Sequence, residues 1–192
     1  MPTRKNIILV LIAFQILIVA GMFVKAYYPI FMGKEVKLAA YGQDPRDLFR
    51  GNYSEIRYDF SSFSIDSVKF HGDTSKTFKY GDWLYAELQA QPNGYYKAVA
   101  FWENLPEDGK IYLRVTPTNE VKWTPSTQKD YYWAGYANFK AGIESFFANP
   151  EKATEIDKLM NRRDSLQGFA KVMIAPNGVG RIKELDFEVI KQ

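Results

Sequence analysis

Cysteine is absent from the 192-residue sequence, and histidine occurs once. These two facts exclude disulfide bonds, zinc–thiolate sites, iron–sulfur clusters, a cysteine nucleophile and most histidine-based triads, so we expect no metal and no cofactor. Asp and Glu are absent from residues 1–32, where Arg4, Lys5 and Lys25 account for the whole formal net charge of +3. The rest of the chain is therefore neutral. It lacks the basic surplus that phosphate contacts need, and we expect no nucleic-acid partner.

Residues 7–24 form an apolar run, interrupted only by Gln15, that can cross a lipid bilayer as a helix. At about 1.5 Å per residue this helix would be about 27 Å long, close to a hydrocarbon core of about 30 Å. Arg4 and Lys5 precede the run, which places the first residues in the cytoplasm and the body outside. A signal peptide cleaved after Ala26 is the alternative, but its apolar core usually has about 7–15 residues, which favours a retained anchor. A buried core helix is disfavoured because apolar residues cover every side.

From Gly33 onward, short alternating segments are separated by Gly, Pro, Asn and Asp, which is typical of antiparallel strands and their turns. Two turns, at 91–94 and 176–178, predict hairpins. Between Ile182 and Leu185 the alternation breaks, which predicts a β-bulge. The predicted strands are Glu35–Ala40, Ser54–Phe60, Asp82–Gln89, Tyr95–Phe101, Lys110–Val115, Tyr131–Phe139, Phe169–Ile174 and Arg181–Glu188.

One helix is predicted among the strands, beginning at Asn149-Pro150-Glu151. These residues supply a cap, a proline where its missing N–H costs nothing, and an acid at the positive end of the helix dipole. The predicted fold class is mainly β (α+β): an N-terminal transmembrane helix followed by one antiparallel β-rich domain with one short helix packed on it. We divide the chain into a cytoplasmic stub with its anchor, 1–32, and an exported β-rich domain, 33–192.

The densest polar cluster lies between the first two predicted strands and has the sequence Asp44-Pro45-Arg46-Asp47-Leu48-Phe49-Arg50-Gly51. One interpretation is a tight turn, in which Asp44 caps the backbone and Asp47 pairs with an arginine. The other is a binding site, in which Arg46 and Arg50 hold a carboxylate or phosphate and Asp47 positions one guanidinium. The spacing does not separate these two interpretations.

Catalytic chemistry has little support. Asp44 and Asp47 lie beside arginines, which lower both pKa values instead of separating them as an acid–base pair requires. Glu151 and Glu155 share a helix face that could hold a cation, although a solvated face is the commoner explanation. Serines such as Ser61 are candidates for a Ser-Lys hydrolase, but no motif selects one.

Tyrosine and tryptophan concentrate around the first hairpin and around residues 131–147. Most of these rings should pack in the core. Their excess over aliphatic residues also suits a surface that binds a partner or stacks on a glycan, because rigid amphipathic rings lose little entropy on binding.

Residues 44–58 resemble the signature of the GDYXXLXY proteins, in which a DPRD-type turn leads into the motif that names the family. Gly51, Tyr53 and Tyr58 match the motif, whereas Ile56 stands in place of leucine and Asn52 in place of aspartate. Downstream, Gly81-Asp82 and the block 142–151, with Glu155 one turn on, resemble further family blocks. The resemblance covers most of residues 35–190.

This resemblance implies a bacterial inner-membrane protein with a single anchor and an exported β-rich domain, of a kind often encoded beside multi-pass membrane proteins. It implies no catalytic residue. The candidate binding residues are Asp44, Arg46, Asp47, Arg50, Tyr53, Tyr58, Glu144, Phe146, Glu151 and Glu155.

We expect a membrane-anchored periplasmic accessory or interaction domain of an envelope complex, with no catalytic activity evident from the sequence. Its expected partners are the lipid bilayer, through residues 7–24, and another integral membrane protein. A periplasmic module that binds a small ligand or a glycan is the first alternative, and a hydrolase of unknown type is the second.

Overall fold

A computed structural model describes residues 3–43, 53–123, 135–147 and 166–189. The described chain begins with one long helix, α1 (Arg4–Met32), and continues as strands. The strands are β1 (Lys34–Gln43), β2 (Tyr53–Tyr58), β3 (Ser62–Ser64), β4 (Lys69–His71), β5 (Thr77–Phe78), β6 (Leu84–Ala90), β7 (Tyr96–Trp102), β8 (Ile111–Pro117), β9 (Val121–Lys122), β10 (Tyr136–Lys140), β11 (Ser145–Phe147), β12 (Leu166–Ile174) and β13 (Gly180–Val189).

The helix α1 has 29 residues and is therefore about 44 Å long. Its apolar stretch is unburied and, by length and composition, can cross a membrane, although a signal sequence near the start of a chain meets the same test. Only Gly33 separates α1 from β1, so the helix passes into the sheet without a linker.

Most of the described strands form one curled, mixed sheet. Its main order is β11-β2-β1-β7-β6-β8-β10-β3, with β12 also paired to β1, β13 to β12, and β4 to β7. Strands β5 and β9 form a separate pair. The pairings are antiparallel except those of β7 with β1 and with β4, which are parallel.

The core forms where alternate residues of neighbouring strands point to one side of the sheet. In β1 the inward residues are Val36, Leu38 and Ala40, each at most 2% exposed. Aromatic rings fill the space farther along the sheet, where Phe101 contacts Phe139 with 4.9 Å between ring centroids. This buried side fixes the register, because a shift of one residue would turn the apolar set outward.

The fold class predicted from the sequence is confirmed, and the structure adds the two parallel pairings. Each predicted strand overlaps a described one. The bulge is also confirmed: Glu184 pairs with Lys171 and Ile182 with Val172, so Lys183 is the extra residue. The helix predicted from Asn149 lies outside the described residues.

Candidate functional site

Two sequence blocks that resembled family motifs meet in the structure as neighbouring strands. Strand β11 pairs with β2, so that Phe147 lies opposite Tyr53 and Phe146 opposite Ser54. The pairing extends one step further, because the Ile56 N–H donates to the Glu144 carbonyl at 2.7 Å. We call this pairing of β2 and β11 the motif junction.

Tyr58 stabilises the inner end of the motif junction by a hydrogen bond and by ring packing. Its side chain is 4% exposed, and its hydroxyl donates a hydrogen bond of 2.8 Å to the carbonyl of Ile143. Its ring stacks on Phe60 with a centroid separation of 5.2 Å. Burial, assisted by the nearby Glu144 carboxylate, raises the pKa of Tyr58 far above its ordinary value, so the hydroxyl keeps its proton and remains a donor.

Glu144 closes the turn that leads into β11. Its carboxylate accepts hydrogen bonds from the backbone N–H of Ala141 at 2.6 Å and of Gly142 at 3.0 Å. Gly142 has φ of +78°, a conformation that glycine adopts without strain. The carboxylate therefore fixes the turn that presents the Ile143 carbonyl to Tyr58, a positioning role within the fold.

Of the remaining candidate binding residues, the structure describes two. Tyr53 and Phe146 lie in β2 and β11, as their backbone pairing shows. The others, Asp44, Arg46, Asp47, Arg50, Glu151 and Glu155, lie outside the described residues.

The described strand ends nevertheless show where these segments leave the sheet. Gln43 lies opposite Glu55 at the end of β1, and Phe147 lies opposite Tyr53. Both positions are at the end of the sheet away from Lys34, where α1 joins β1. The chain on either side of 44–52, and before 148, thus attaches to the sheet end that is distant from the helix.

A polar cleft of about 1030 Å³ opens on the outward side of β1, beside the start of β7 and the end of β13. At its centre, Lys37 forms an ion pair with Glu188, which also accepts a hydrogen bond from the Tyr95 hydroxyl. The Lys37 ammonium lies 4.6 Å from the Tyr95 ring centroid and 4.0 Å from that of Phe169. We call this group the Lys37 cleft.

Burial, together with the hydrogen bond to Glu188, raises the pKa of Tyr95 far above its ordinary value. The phenol of Tyr95 is therefore a donor at physiological pH. The sequence analysis placed an aromatic cluster around the first hairpin, where Tyr95 lies, but missed Lys37 and Glu188. The available signal was the aromatic excess at the hairpin, whereas nothing local links residues at opposite ends of the chain.

Some of the clustered aromatic residues are buried in the core, and others are exposed on the surface. Phe139 is buried in the core, as most of the cluster was expected to be. Tyr80, Trp83 and Tyr136 are exposed, and Trp83 is covered on one face by the Arg114 guanidinium at 4.3 Å from its centroid. The exposed rings are available for contacts beyond the chain, as the alternative interpretation of the cluster requires.

The end of α1 is clamped to the body of the protein. The Arg181 guanidinium in β13 donates a 2.7 Å hydrogen bond to the Ala26 carbonyl and lies 5.1 Å from the Tyr27 ring centroid. Pro29 is buried, and its carbonyl accepts a 2.9 Å hydrogen bond from the Gly33 N–H. We call this set of contacts the helix clamp.

A groove of about 640 Å³ lies beside the helix clamp, between the last turns of α1 and the body. Met22 and Ala26 line its helix side, and Ile143 and Val179 line its body side. Lys25 and Arg181 are the charged residues that line it within the part of the chain the structure describes. We call it the clamp groove.

No three of the described His, Cys, Asp and Glu residues come together as a group able to hold a metal ion. Comparison of the chain with curated proteins and with solved structures gives no match. A family model described as GDYXXLXY protein matches residues 15–185. The matched range includes the second half of the apolar run, the motif junction and the Lys37 cleft except for Glu188. The chain therefore belongs to the GDYXXLXY family.

Proposed function

We propose that this protein is a membrane-anchored accessory domain that is exported and held beside another integral membrane protein of the cell envelope. The observation that carries the proposal is the helix clamp. A domain on a flexible tether needs no specific contacts with its anchor, whereas this one holds the helix end with a hydrogen bond, a buried proline and a ring contact. Such contacts fix the orientation of the body relative to the helix, and would fix it relative to a membrane that the helix crosses.

The connection between helix and body supports the same conclusion. A Cβ atom at Gly33 would lie 2.3 Å from the Pro29 carbonyl oxygen and 3.0 Å from the backbone of Ile174. Glycine thus allows the helix end to approach β12 more closely than any other residue would. A fixed orientation is useful to a domain that must meet a neighbour in the same membrane, because it removes the entropy cost of orienting the two surfaces.

The length of α1 also supports a retained anchor. The helix is about 44 Å long, so residues 7–24 can fill a hydrocarbon core of about 30 Å while the last turns stand beyond it, beside the body. Arg4 and Lys5 favour a cytoplasmic start and a body on the outer side. The Ala26 carbonyl, where a signal peptide would be cut, is occupied by Arg181 within a continuous helix.

The test is crosslinking of the full chain in its own membranes, followed by gentle extraction and separation by size. We expect the protein to migrate with another integral membrane protein. Arg181→Ala removes the hydrogen bond to Ala26 and should lower the yield of the complex. Lys183→Ala, two residues along the same strand, should not. Recovery of the wild-type chain consistently alone and monomeric would contradict the proposal.

A second candidate function, binding of a small ligand or glycan, is favoured by the Lys37 cleft. The cleft combines tyrosine rings, which stack on sugars, with charged and amide side chains such as Lys97, Asp59 and Gln167, which bond to hydroxyl or acidic groups. A thermal-shift screen of the detergent-solubilised chain against cell-wall fragments and anionic metabolites tests it. A stabilising compound should lose its effect in Tyr95→Ala and keep it in Tyr80→Ala, whose ring is exposed elsewhere; no stabilising compound would contradict this function.

A further inference from the structure

Gln15 is a polar residue near the middle of the apolar run 7–24. Its side chain is exposed, and within the described residues its amide has no hydrogen-bond partner. Hydrocarbon offers neither donor nor acceptor, so an amide at this depth is unfavourable unless another helix supplies both. In a membrane-spanning segment, such a residue marks a helix–helix contact or a functional group.

The structure shows which side of the helix Gln15 occupies relative to the body. Met22 lies seven residues after Gln15, two helical turns on, and Ala26 lies eleven residues after it, three turns on. Both residues line the clamp groove, and the Ala26 carbonyl accepts a hydrogen bond from the body. Gln15 therefore faces the side of the helix on which the body lies.

This geometry excludes a symmetric pair of these helices through the Gln15 side. Packed helices lie about 8–10 Å apart, so in a parallel pair the continuation of each helix to Met32 would run into the body of the other copy. A helix that pairs here must end near the membrane surface, below the body. That requirement points to a different protein with a short connection after its helix.

The clamp groove adds a second requirement by its charge. Lys25 and Arg181 bring positive charge to the groove, and its other described lining residues are uncharged. The carbonyl end of a helix carries partial negative charge, and acidic residues complement cations in the same way. A partner helix that ends at the groove with its C-terminus satisfies both Gln15 and the groove.

We propose that the Gln15–Met22 side of α1 and the clamp groove together dock one transmembrane helix of another integral membrane protein. The docked helix carries a hydrogen-bonding side chain at mid-bilayer, and its C-terminal end, with acidic residues, enters the clamp groove. This inference rests on the proposed function and names the surface through which it operates.

Site-specific photocrosslinking of the full chain in its own membranes tests the docking surface. The probe replaces Val19, which lies on the Gln15 side, or Leu17, which lies at nearly the same depth on the opposite side. We expect crosslinks to an integral membrane protein from position 19 and not from position 17. Equal crosslinking from both positions, or crosslinking to a second copy of this chain, would overturn the inference.

Variants at Gln15 provide the matched controls. Gln15→Leu should lower the crosslink from position 19 about fivefold, as the loss of one interhelical hydrogen bond predicts, and Gln15→Asn should retain most of it. Gln15→Leu combined with Leu17→Gln keeps the composition but moves the amide to the other side, and should lower the crosslink equally. An unchanged crosslink in Gln15→Leu overturns the docking surface. If the membrane protein is still co-extracted in that case, the accessory function stands; if no partner is captured at all, both fail.

Discussion

Tyr58 contributes to the fold through its buried ring and through the bond from its hydroxyl to the Ile143 carbonyl, which joins the two halves of the motif junction. The residue lies at the end of β2, where its ring is buried against Phe60. Because Ile143 is 1% exposed, losing the hydroxyl removes the hydrogen-bond donor of a buried carbonyl.

We therefore predict that Tyr58→Phe destabilises the protein by about 1–2 kcal/mol while preserving the ring packing. The measurement is thermal or chemical unfolding of the full chain in detergent. Tyr80→Phe is the matched control, because Tyr80 is 77% exposed and its hydroxyl can bond to water. Equal stability of the two variants would show that the bond to Ile143 contributes nothing.

Glu103 organises the loop after β4. Its carboxylate accepts hydrogen bonds from the Asp73 N–H at 3.0 Å and from the Lys76 ammonium at 2.9 Å. The bond from the Asp73 N–H, followed by that from Lys76, lowers the pKa of Glu103 from its ordinary value. A carboxyl whose pKa is depressed by folding stabilises the protein above its unfolded pKa, and this contribution is lost as the pH falls through the folded value.

We predict that the pKa of the Glu103 carboxyl, followed by NMR, lies below that of an ordinary glutamate, and that Lys76→Met raises it. Glu103→Gln should also flatten the fall in stability on acidification below about pH 5. A midpoint that is the same in wild type and Lys76→Met would mean that the ion pair does not form in solution.

At the residue scale, the sequence identified the motif residues but not their contacts within the fold. Tyr58 and Glu144 were named as candidate binding residues; in the structure the hydroxyl and the carboxylate bond to the backbone of their own junction, and a binding role stays a prediction. The Lys37–Glu188 pair was missed because β1 and β13, which are far apart in the sequence, come together only through β12, which pairs with both strands. A pairing across that separation leaves no local pattern.

The sequence predicts those strands that are long enough to show an alternation of apolar and polar residues. The hairpin β12–β13 and its bulge at Lys183 follow from alternation and from one break in it. Strands of two or three residues, such as β5 and β9, span too few positions for alternation to be recognised. Their pairing depends on the longer strands that hold them in place.

The connection between α1 and β1 gives an element-scale prediction. Gly33→Ala places a Cβ atom 2.3 Å from the Pro29 carbonyl oxygen, so the helix end must shift away from β12. We expect a loss of about 1–3 kcal/mol, typical of overpacking, in the unfolding of the full chain. Gly21→Ala, where nothing lies within 4 Å of the added atom, is the control and should cause no loss. Equal effects would place the cost in the helix backbone instead of the clamp.

The absence of cysteine makes the topology of the whole molecule measurable, because any introduced cysteine is the only one. We predict that Tyr80→Cys reacts with a membrane-impermeant maleimide added outside an intact inner membrane, whereas Thr3→Cys reacts only after permeabilisation. The reverse pattern would place the body in the cytoplasm and contradict the positive-inside assignment.

A retained anchor also predicts the mass of the mature protein. The chain purified from membranes should keep the mass of the residues up to Ala26. Cleavage after Ala26 would remove the apolar run and the carbonyl that Arg181 holds. Intact-mass spectrometry distinguishes these outcomes directly, and a shortened chain would make the helix a signal peptide.

The position of β1 in the sheet delays the completion of its pairing during synthesis of the protein. Strand β1 pairs with β2 and β7, and Lys34 at its start pairs with Ile174 near the end of the chain. A ribosome therefore releases the first strand long before the strand that covers it, and pairing across such a separation is slow. Until β12 arrives, the edge of β1 that pairs with it, residues 34–40, stays open at the end of the helix, where it can aggregate. Biogenesis of this protein should thus depend on chaperones that protect the nascent domain, and truncations before β12 should be degraded.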